Sequence, residues 1–420
     1  SSSGRVIPEM VCASEGETPK NLNHTPHRNM TITTNKIIRF HGNTVFANGT
    51  SNYYRGAEYV SLTYETTGTS GGDNIVGVQH SRYFRYFDRH IFGFEEKRAG
   101  FFNPAYKLPI YEFANKLNGG DGNDYISASL RGTDSLFGGA GNDILNGNTL
   151  ENLMLGGFGN DFMKGHDGDD EMKGGPGDDV VHGESGNDNL RGEWGNDSIR
   201  GGDGNDSIRG NNDNDTMRGG YGNDRIDGGS GDDFLSGDFG VDILRGGDGR
   251  DTLYDVGGSG NELYGGELGD KITSAYHANY SSAGDQNFLY GEGGNDNLTG
   301  QGSDKLFGGI GNDRLTAKGG NNLLDGGEGA DIFVVNQSHA GVDVLNKQTT
   351  INDFTHEDKI YVGGTIESIF VADPLTSGIT ETQVYGQNSA GHTLTVATLK
   401  HGNGYQGEDL VLSGGYVTIA

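Results

Sequence analysis

The sequence predicts an all-β solenoid, on the strength of two observations. First, Gly156 to Tyr254 divides without a gap into eleven nine-residue units, from GGFGNDFMK to GGDGRDTLY. Second, every unit has Gly at the first position, Asp at the sixth and an aliphatic residue or Met at the eighth. A period of nine is too short for a domain and too regular for a loop. It suits one coil of a solenoid, which buries its apolar residue only against neighbouring coils. Glycines permit positive φ, so the first six residues can turn sharply. The remaining triplet reads as a very short strand with one inward side chain. The expected core is therefore Met163, Met172, Val181, Leu190, Ile199, Ile208, Met217, Ile226, Leu235, Leu244 and Leu253. A disordered tract rich in Asn, Asp and Gly has the same composition. It gives no reason for an apolar eighth position in all eleven units.

The sixth position carries the chemistry. Asp161, Asp170, Asp179, Asp188, Asp197, Asp206, Asp215, Asp224, Asp233, Asp242 and Asp251 each add a carboxylate to a turn whose carbonyls aim inward. The carbonyls expected to contribute are those of Gly157, Gly159, Gly174, Gly175, Gly177, Gly192, Gly195 and Gly201, then Gly202, Gly204, Gly219, Gly220, Gly222, Gly228, Gly229 and Gly231. Hard oxygen donors, with no Cys and no regular His, favour Ca²⁺ over Zn²⁺ or copper. The units resemble the RTX nonapeptide G-G-x-G-x-D-x-U-x of type I-secreted proteins. That resemblance implies a parallel β-roll, an RTX calcium-binding solenoid, with several bound Ca²⁺ ions. Successive units would lie on opposite sides of the roll, placing each ion between turns n and n+2. Asp188 would then share an ion with Asp206, and Asp197 with Asp215.

Composition agrees with this reading. The 420 residues include 77 Gly and only 7 Pro, with 32% apolar residues and a formal net charge of −29. A conventional packed core is unlikely to fill most of such a chain, and the excess carboxylate suits cation binding rather than nucleic acid. Without calcium, stacked Asp turns repel one another; with it, binding energy becomes folding energy. A single Cys, Cys12, excludes a disulfide framework. There is neither a transmembrane stretch nor a signal peptide in the sequence. The start at Ser1 without Met suggests a processed product or a fragment.

Taken in order, three regions are expected: 1–117, a β-rich cap and interaction region; 118–335, the roll; and 336–420, a β cap with a type I secretion signal. Strand-like spacing from Thr31 to Tyr64 involves Ile32, Ile37, Ile38, Phe40, Val45, Phe46, Val60, Leu62 and Tyr64. Gly68–Gly77 resembles a degenerate first repeat, and the G-x-S-x-G around Ser70 lacks the flanking α/β sheet a hydrolase elbow needs. His80–Phe102 is aromatic and basic. It reads as the small core of the cap or, alternatively, as a glycan or partner patch involving Tyr83, Phe84, Tyr86, Phe87 and Arg98. Pro109–Leu117 reads as a short helix ending at Asn118-Gly119.

The roll then begins with Asp124, a degenerate coil at Asp134, and Asp143. GNTLENLML is expected to be an empty turn. After Tyr254 the register slips, with Glu262 in the Asp position, then Asp270 and an insertion at Ser274–Gly284 carrying Tyr276, His277 and Tyr280. It resumes at Asp296, Asp304, Asp313 and Asp331, so fewer ions than repeats are expected there. TINDFTHEDKIYV (Asp353, Phe354, Asp358, Lys359, Ile360) resembles the segment that closes such rolls. TLTVATLK, EDLVL and YVTIA read as strands over the end.

Two side features remain. The ninth position is basic in eight of the eleven units, giving stripes of Lys173, Arg191, Arg209 and Arg245 and of Lys164, His182, Arg200 and Arg218. They balance the Asp charge or hold an acidic partner, either a second copy or an anionic surface polysaccharide. Aromatics at the third position (Phe158, Trp194, Tyr221, Phe239) point to burial by a neighbour, chiefly Trp194 and Phe239. No zinc motif, nucleophile triad, phosphate loop or nucleic-acid signature is present. The expectation is thus a non-enzymatic, secreted calcium-binding protein that assembles at the cell surface. The alternative is the folding and secretion module of a larger toxin, adhesin or extracellular hydrolase.

Overall fold

A computed structural model describes residues 33–45, 55–67, 74–76, 112–128, 132–275, 286–318, 321–336, 349–354, 357–363, 366–371, 381–388, 393–400, 410–413 and 416–419. The described residues form strands and turns, with no helix; none therefore offers a helix long and apolar enough to cross a membrane. Ser70, the His80–Phe102 patch and Tyr276, His277 and Tyr280 lie outside them.

The architecture is a parallel β-solenoid, and the repeat explains it directly. Positions six, eight and one alternate inward along an extended chain, as in Asp197, Ile199 and Gly201, all buried. The sequence alone suggested a three-residue strand. The strand is six residues long in most coils, as in Ser198–Asp203, because it continues through the first three positions of the next unit. Consecutive strands go to opposite sheets, so each pairs in parallel with the strand two units on. Ile199 lies beside Met217, and Arg200 beside Arg218.

The chain divides into two compact units, residues 1–176 and 177–420. In the first, Thr33–Val45 and Arg55–Thr67 form an antiparallel hairpin. Glu112–Asp121 joins that hairpin in parallel, followed by Ser135–Ala140, Leu153–Phe158 and Glu171–Pro176. The opposite sheet runs through Asn74–Val76, Tyr125–Ser127, Ile144–Asn146 and Phe162–Asp167. The degenerate first repeat is thus a strand of the solenoid. The expected helix at Pro109–Leu117 is not formed: Glu112–Asp121 is a strand. Leu117-Asn118-Gly119 takes the eighth, ninth and first positions of a coil, with Leu117 buried. The Asn-Gly read as a helix end lies within that strand, at the ninth and first positions.

In the second unit the ladders run in register from Val180–Ser185 and Asn189–Trp194 onward. Two register expectations change. Glu262 is the first residue of a strand, and Asn261 fills the sixth position, its Oδ1 accepting the N–H of Asp242. Ser274 belongs to the strand Lys271–Ala275 rather than to an insertion. Antiparallel strands close both sheets. In one, Thr393–Lys400 still pairs in parallel with Thr349–Ile351, and Glu381–Asn388 and then Ile366–Val371 follow it antiparallel. Tyr416–Ile419 covers Lys359–Gly363. Such closure leaves the last parallel strands without a bare edge.

All eighth positions of the central run are buried, from Met163 to Leu253. Replacing Ile208 with Ala is expected to cost about 2–5 kcal/mol, a buried aliphatic truncation in a close-packed column. Denaturant unfolding of the calcium-loaded chain measures it; a cost below about 0.5 kcal/mol would contradict the burial.

Candidate metal centre

In the second unit the sixth-position carboxylates stand in two columns. One runs through Asp188, Asp206, Asp224 and Asp242, and the other through Asp197, Asp215, Asp233, Asp251, Asp270, Asp296, Asp313 and Asp331. Along both, the backbone N–H of one Asp donates to Oδ1 of the next at 2.7–2.8 Å. The structure therefore brings Asp188 to Asp206 and Asp197 to Asp215, the pairs expected to share ions. In the first unit Asp124, Asp143 and Asp161 repeat the pattern, and the N–H of Asn152 donates to Asp170. The turn expected to be empty thus keeps the column's geometry, with an amide where a carboxylate would be. Asp179 is likewise buried, its N–H bonded to Asp197.

This arrangement satisfies one carboxylate oxygen and leaves the other. Oδ2 of Asp143, Asp197, Asp215, Asp224, Asp233, Asp242, Asp251, Asp270, Asp296, Asp313 and Asp331 is buried without a hydrogen bond. A buried, unbonded anionic oxygen is costly, so a repeated series of them is a donor set that fits a cation. Among the described residues no three acidic, His or Cys side chains converge. Each turn thus offers few carboxylate oxygens, and backbone carbonyls must supply the rest.

The glycines make those carbonyls available. First-position glycines are buried and have no positive φ; they are Gly because a Cβ has no room. On Gly219 a Cβ would collide with Oδ2 of Asp224 and lie 2.8 Å from the carbonyl oxygen of Gly237. First-position carbonyls such as those of Gly174, Gly201, Gly219 and Gly228 therefore lie beside the carboxylates; Gly192 holds the same position against Asp197. Second-position Gly157, Gly175, Gly202, Gly220 and Gly229 and fourth-position Gly159, Gly177, Gly195, Gly204, Gly222 and Gly231 have positive φ. Their carbonyls meet the next coil: that of Gly204 lies where a Cβ on Gly222 would be.

Several positions escaped the sequence reading. Asn261, Asn287 and Asn322 fill the sixth position with an amide, and Asp358 of the closing segment fills it with a carboxylate, while Asp304 stands at a sixth position where the repeat register put it. The buried Asn followed by x-Leu or x-x-Tyr was the available signal at Asn287 (NFLY) and Asn261 (NELY). Phe239, expected to be exposed, is half-buried because its ring stacks on Tyr221 at 4.9 Å. Trp194 is exposed and lies in the opposite sheet, beside Asn212. Arg191 and Arg209 are cross-strand neighbours, but Asp227 stands between Arg209 and Arg245.

Burial is the main cause of raised carboxyl pKa values along the columns. Asp161 and Asp242 rise to about 6, Asp197 and Asp233 to about 7, and Asp215 and Asp224 to about 8. The backbone hydrogen bond to each carboxylate opposes the rise, and neighbouring carboxylates add to it. Raised values mean that the metal-free fold holds more protons than the unfolded chain above about pH 4. Its stability therefore falls as pH rises from about 4 toward about 8. In excess chelator, far-ultraviolet circular dichroism should gain β signal when pH drops from 8 to about 5. Identical spectra at the two pH values would contradict this electrostatic account.

Comparison with known proteins agrees with the geometry. The RTX calcium-binding nonapeptide repeat family (four copies) matches residues 112–130, 129–152, 155–190, 191–220, 218–253, 283–303 and 298–333. No curated protein matches the chain. The matched segments carry the buried Asp columns, and such repeats bind Ca²⁺ at multiple sites. Through these repeats the chain belongs to the RTX family of calcium-binding proteins.

Proposed function

We propose that this is a secreted protein whose roll folds on calcium after export and serves a structural, assembling role at the cell surface. The observation that carries the reading is the series of buried Oδ2 atoms left without a hydrogen bond. Calcium supplies two positive charges and a preference for hard oxygen ligands. The sixth-position carboxylates, with the first-position carbonyls beside them, would hold it. In its absence the same carboxylates lie stacked at about the 4.8 Å spacing of paired strands and repel one another. Extracellular calcium modules bind at roughly 10⁻⁴–10⁻³ M, so a chain of this kind stays unfolded inside a cell and folds outside it. Type I export requires such an unfolded chain.

The surfaces support assembly. Phe158, Trp194 and Tyr221 are exposed at third positions of their repeat units, the last residues of their strands, where they contribute nothing to the core. Arg191 and Arg209 lie beside one another, as do Arg200 and Arg218, and like charges placed so are unfavourable until an anion lies between them. Beyond Asp227, Arg245 packs over Tyr264 at 5.2 Å, and Tyr264, Tyr290 and Phe307 stack in sequence at 4.7 and 5.0 Å. A second copy of the chain or an anionic surface polysaccharide suits this alternation of cation and ring.

Calcium titration followed by circular dichroism and light scattering, with magnesium as control, tests the reading. The expected outcome is a cooperative coil-to-β transition accompanied by growth in particle size. Trp194→Ser should keep the transition and reduce the growth. Complete β structure in excess chelator at neutral pH would end the folding reading, and folding without growth would end the assembly reading.

A further inference from the structure

At the register slip after Tyr254 the chain carries a carboxylate that the nonapeptide does not contain. Thr252, Leu253 and Tyr254 are the seventh to ninth residues of a coil, which puts Asp255 at the first position, where the central units have Gly. That substitution would fail elsewhere, because a first-position Cβ collides with the Asp of its own turn, as Gly201 shows with Asp206. Here two changes make room. The turn from Asp255 to Asn261 is one residue longer than the turn from Gly237 to Asp242, and its sixth position holds an amide. First positions have no positive φ, so the backbone accepts an aspartate without strain.

Asp255 is only 1% exposed, and Asp242 is 0%. The two carboxylates converge on one point. The place that a Cβ on Gly237 would occupy is 2.5 Å from Oδ2 of Asp242 and 2.8 Å from Oδ1 of Asp255. Their known partners leave an oxygen on each. Oδ1 of Asp242 accepts the N–H of Asp224, and Oδ1 of Asp255 accepts the N–H of Val256. Oδ2 of both is buried without a hydrogen bond. Asn261 brings no charge to offset them: its Nδ2 donates to the carbonyl of Gly257, its Oδ1 accepts from Asp242, and its only help to Asp255 is a neutral amide hydrogen bond that burial outweighs. Among the described residues no basic side chain offsets either carboxylate.

We propose that Asp242 and Asp255 together bind one calcium ion at this slip, Asp255 supplying from the first position the carboxylate that Asn261 does not supply from the sixth. Two buried carboxylates match the charge of a divalent cation, and an all-oxygen donor set selects calcium over softer metals. The consequence is continuity: the ion column passes through a coil whose sixth position carries no charge. The proposal rests on calcium binding by the repeats and is independent of any surface role.

Native mass spectrometry of the full chain at saturating calcium counts ions per chain, and amide hydrogen exchange reports on 237–263. Asp255→Asn keeps the shape of the side chain, and Asp255→Gly restores the repeat's own residue, so one of the two folds even if the other does not. Each variant is expected to carry one calcium fewer than the wild type, with faster exchange confined to 237–263 at millimolar calcium. Asp227→Asn, a substitution on the outer face, should change neither. An unchanged ion count in Asp255→Asn and Asp255→Gly overturns the proposal, even with faster exchange, because Asp255 would then be a packing residue. A wild-type chain that binds no calcium at all overturns this proposal and the folding reading together, whereas a calcium-loaded wild type whose Asp255 variants keep every ion overturns this proposal alone.

Discussion

A carboxylate held on the inward face of each coil, one oxygen bonded to the backbone of a stacked coil and the other left over, is the constraint the rest of the fold answers to. The bonded oxygen fixes register, since the N–H that reaches it belongs to an Asp or Asn two units earlier. A slip of one residue would send every such carboxylate to the outer face and every apolar residue with it. The unbonded oxygen makes the same register unfavourable until a cation is present. Specification of the fold and its fitness for a cation therefore come from the two oxygens of one functional group.

Glycine answers a different demand at each position. At the first it makes space for a carboxylate, and at the second and fourth it supplies a left-handed backbone. The exceptions confirm the distinction. His166, Glu184, Glu193 and Asn211 adopt positive φ at second positions, where backbone strain adds to the close approach of a neighbouring carbonyl, as at Gly202 and Gly220. Asp255 stands at a first position, where only space opposes it.

The central eleven units were legible in the sequence because each makes the same statement, and repetition separates a rule from chance. The inward Asp and the apolar eighth residue followed from period and residue type, and the pairing of alternate units from the resemblance to RTX repeats. Strand length did not, because the glycines that signal a turn also lie in extended strand at positions one to three. Asn261 and Asn287 were missed because an amide fills the sixth position without the expected charge, and the neighbouring Glu262 offered a carboxylate one residue away. Leu117 was misread because a single coil beside a Pro and an Asn-Gly looks like a capped helix when no copies stand on either side. The inward set of carboxylates was legible as far as side chains go. Glycine carbonyls could be named from the turn, but only the folded turn shows that those at first positions lie beside the carboxylates.

Parallel pairing at a spacing of 18 residues has a kinetic meaning as well. Although the fold is all β, each strand's partners lie only two coils away along the chain, so its contact order is closer to that of a helical protein than to that of a sandwich. Loop closure costs little more for the twentieth strand than for the fourth. A chain of this design can therefore assemble sequentially from one end as it is delivered, each new coil adding to a completed one, without waiting for a distant segment to arrive.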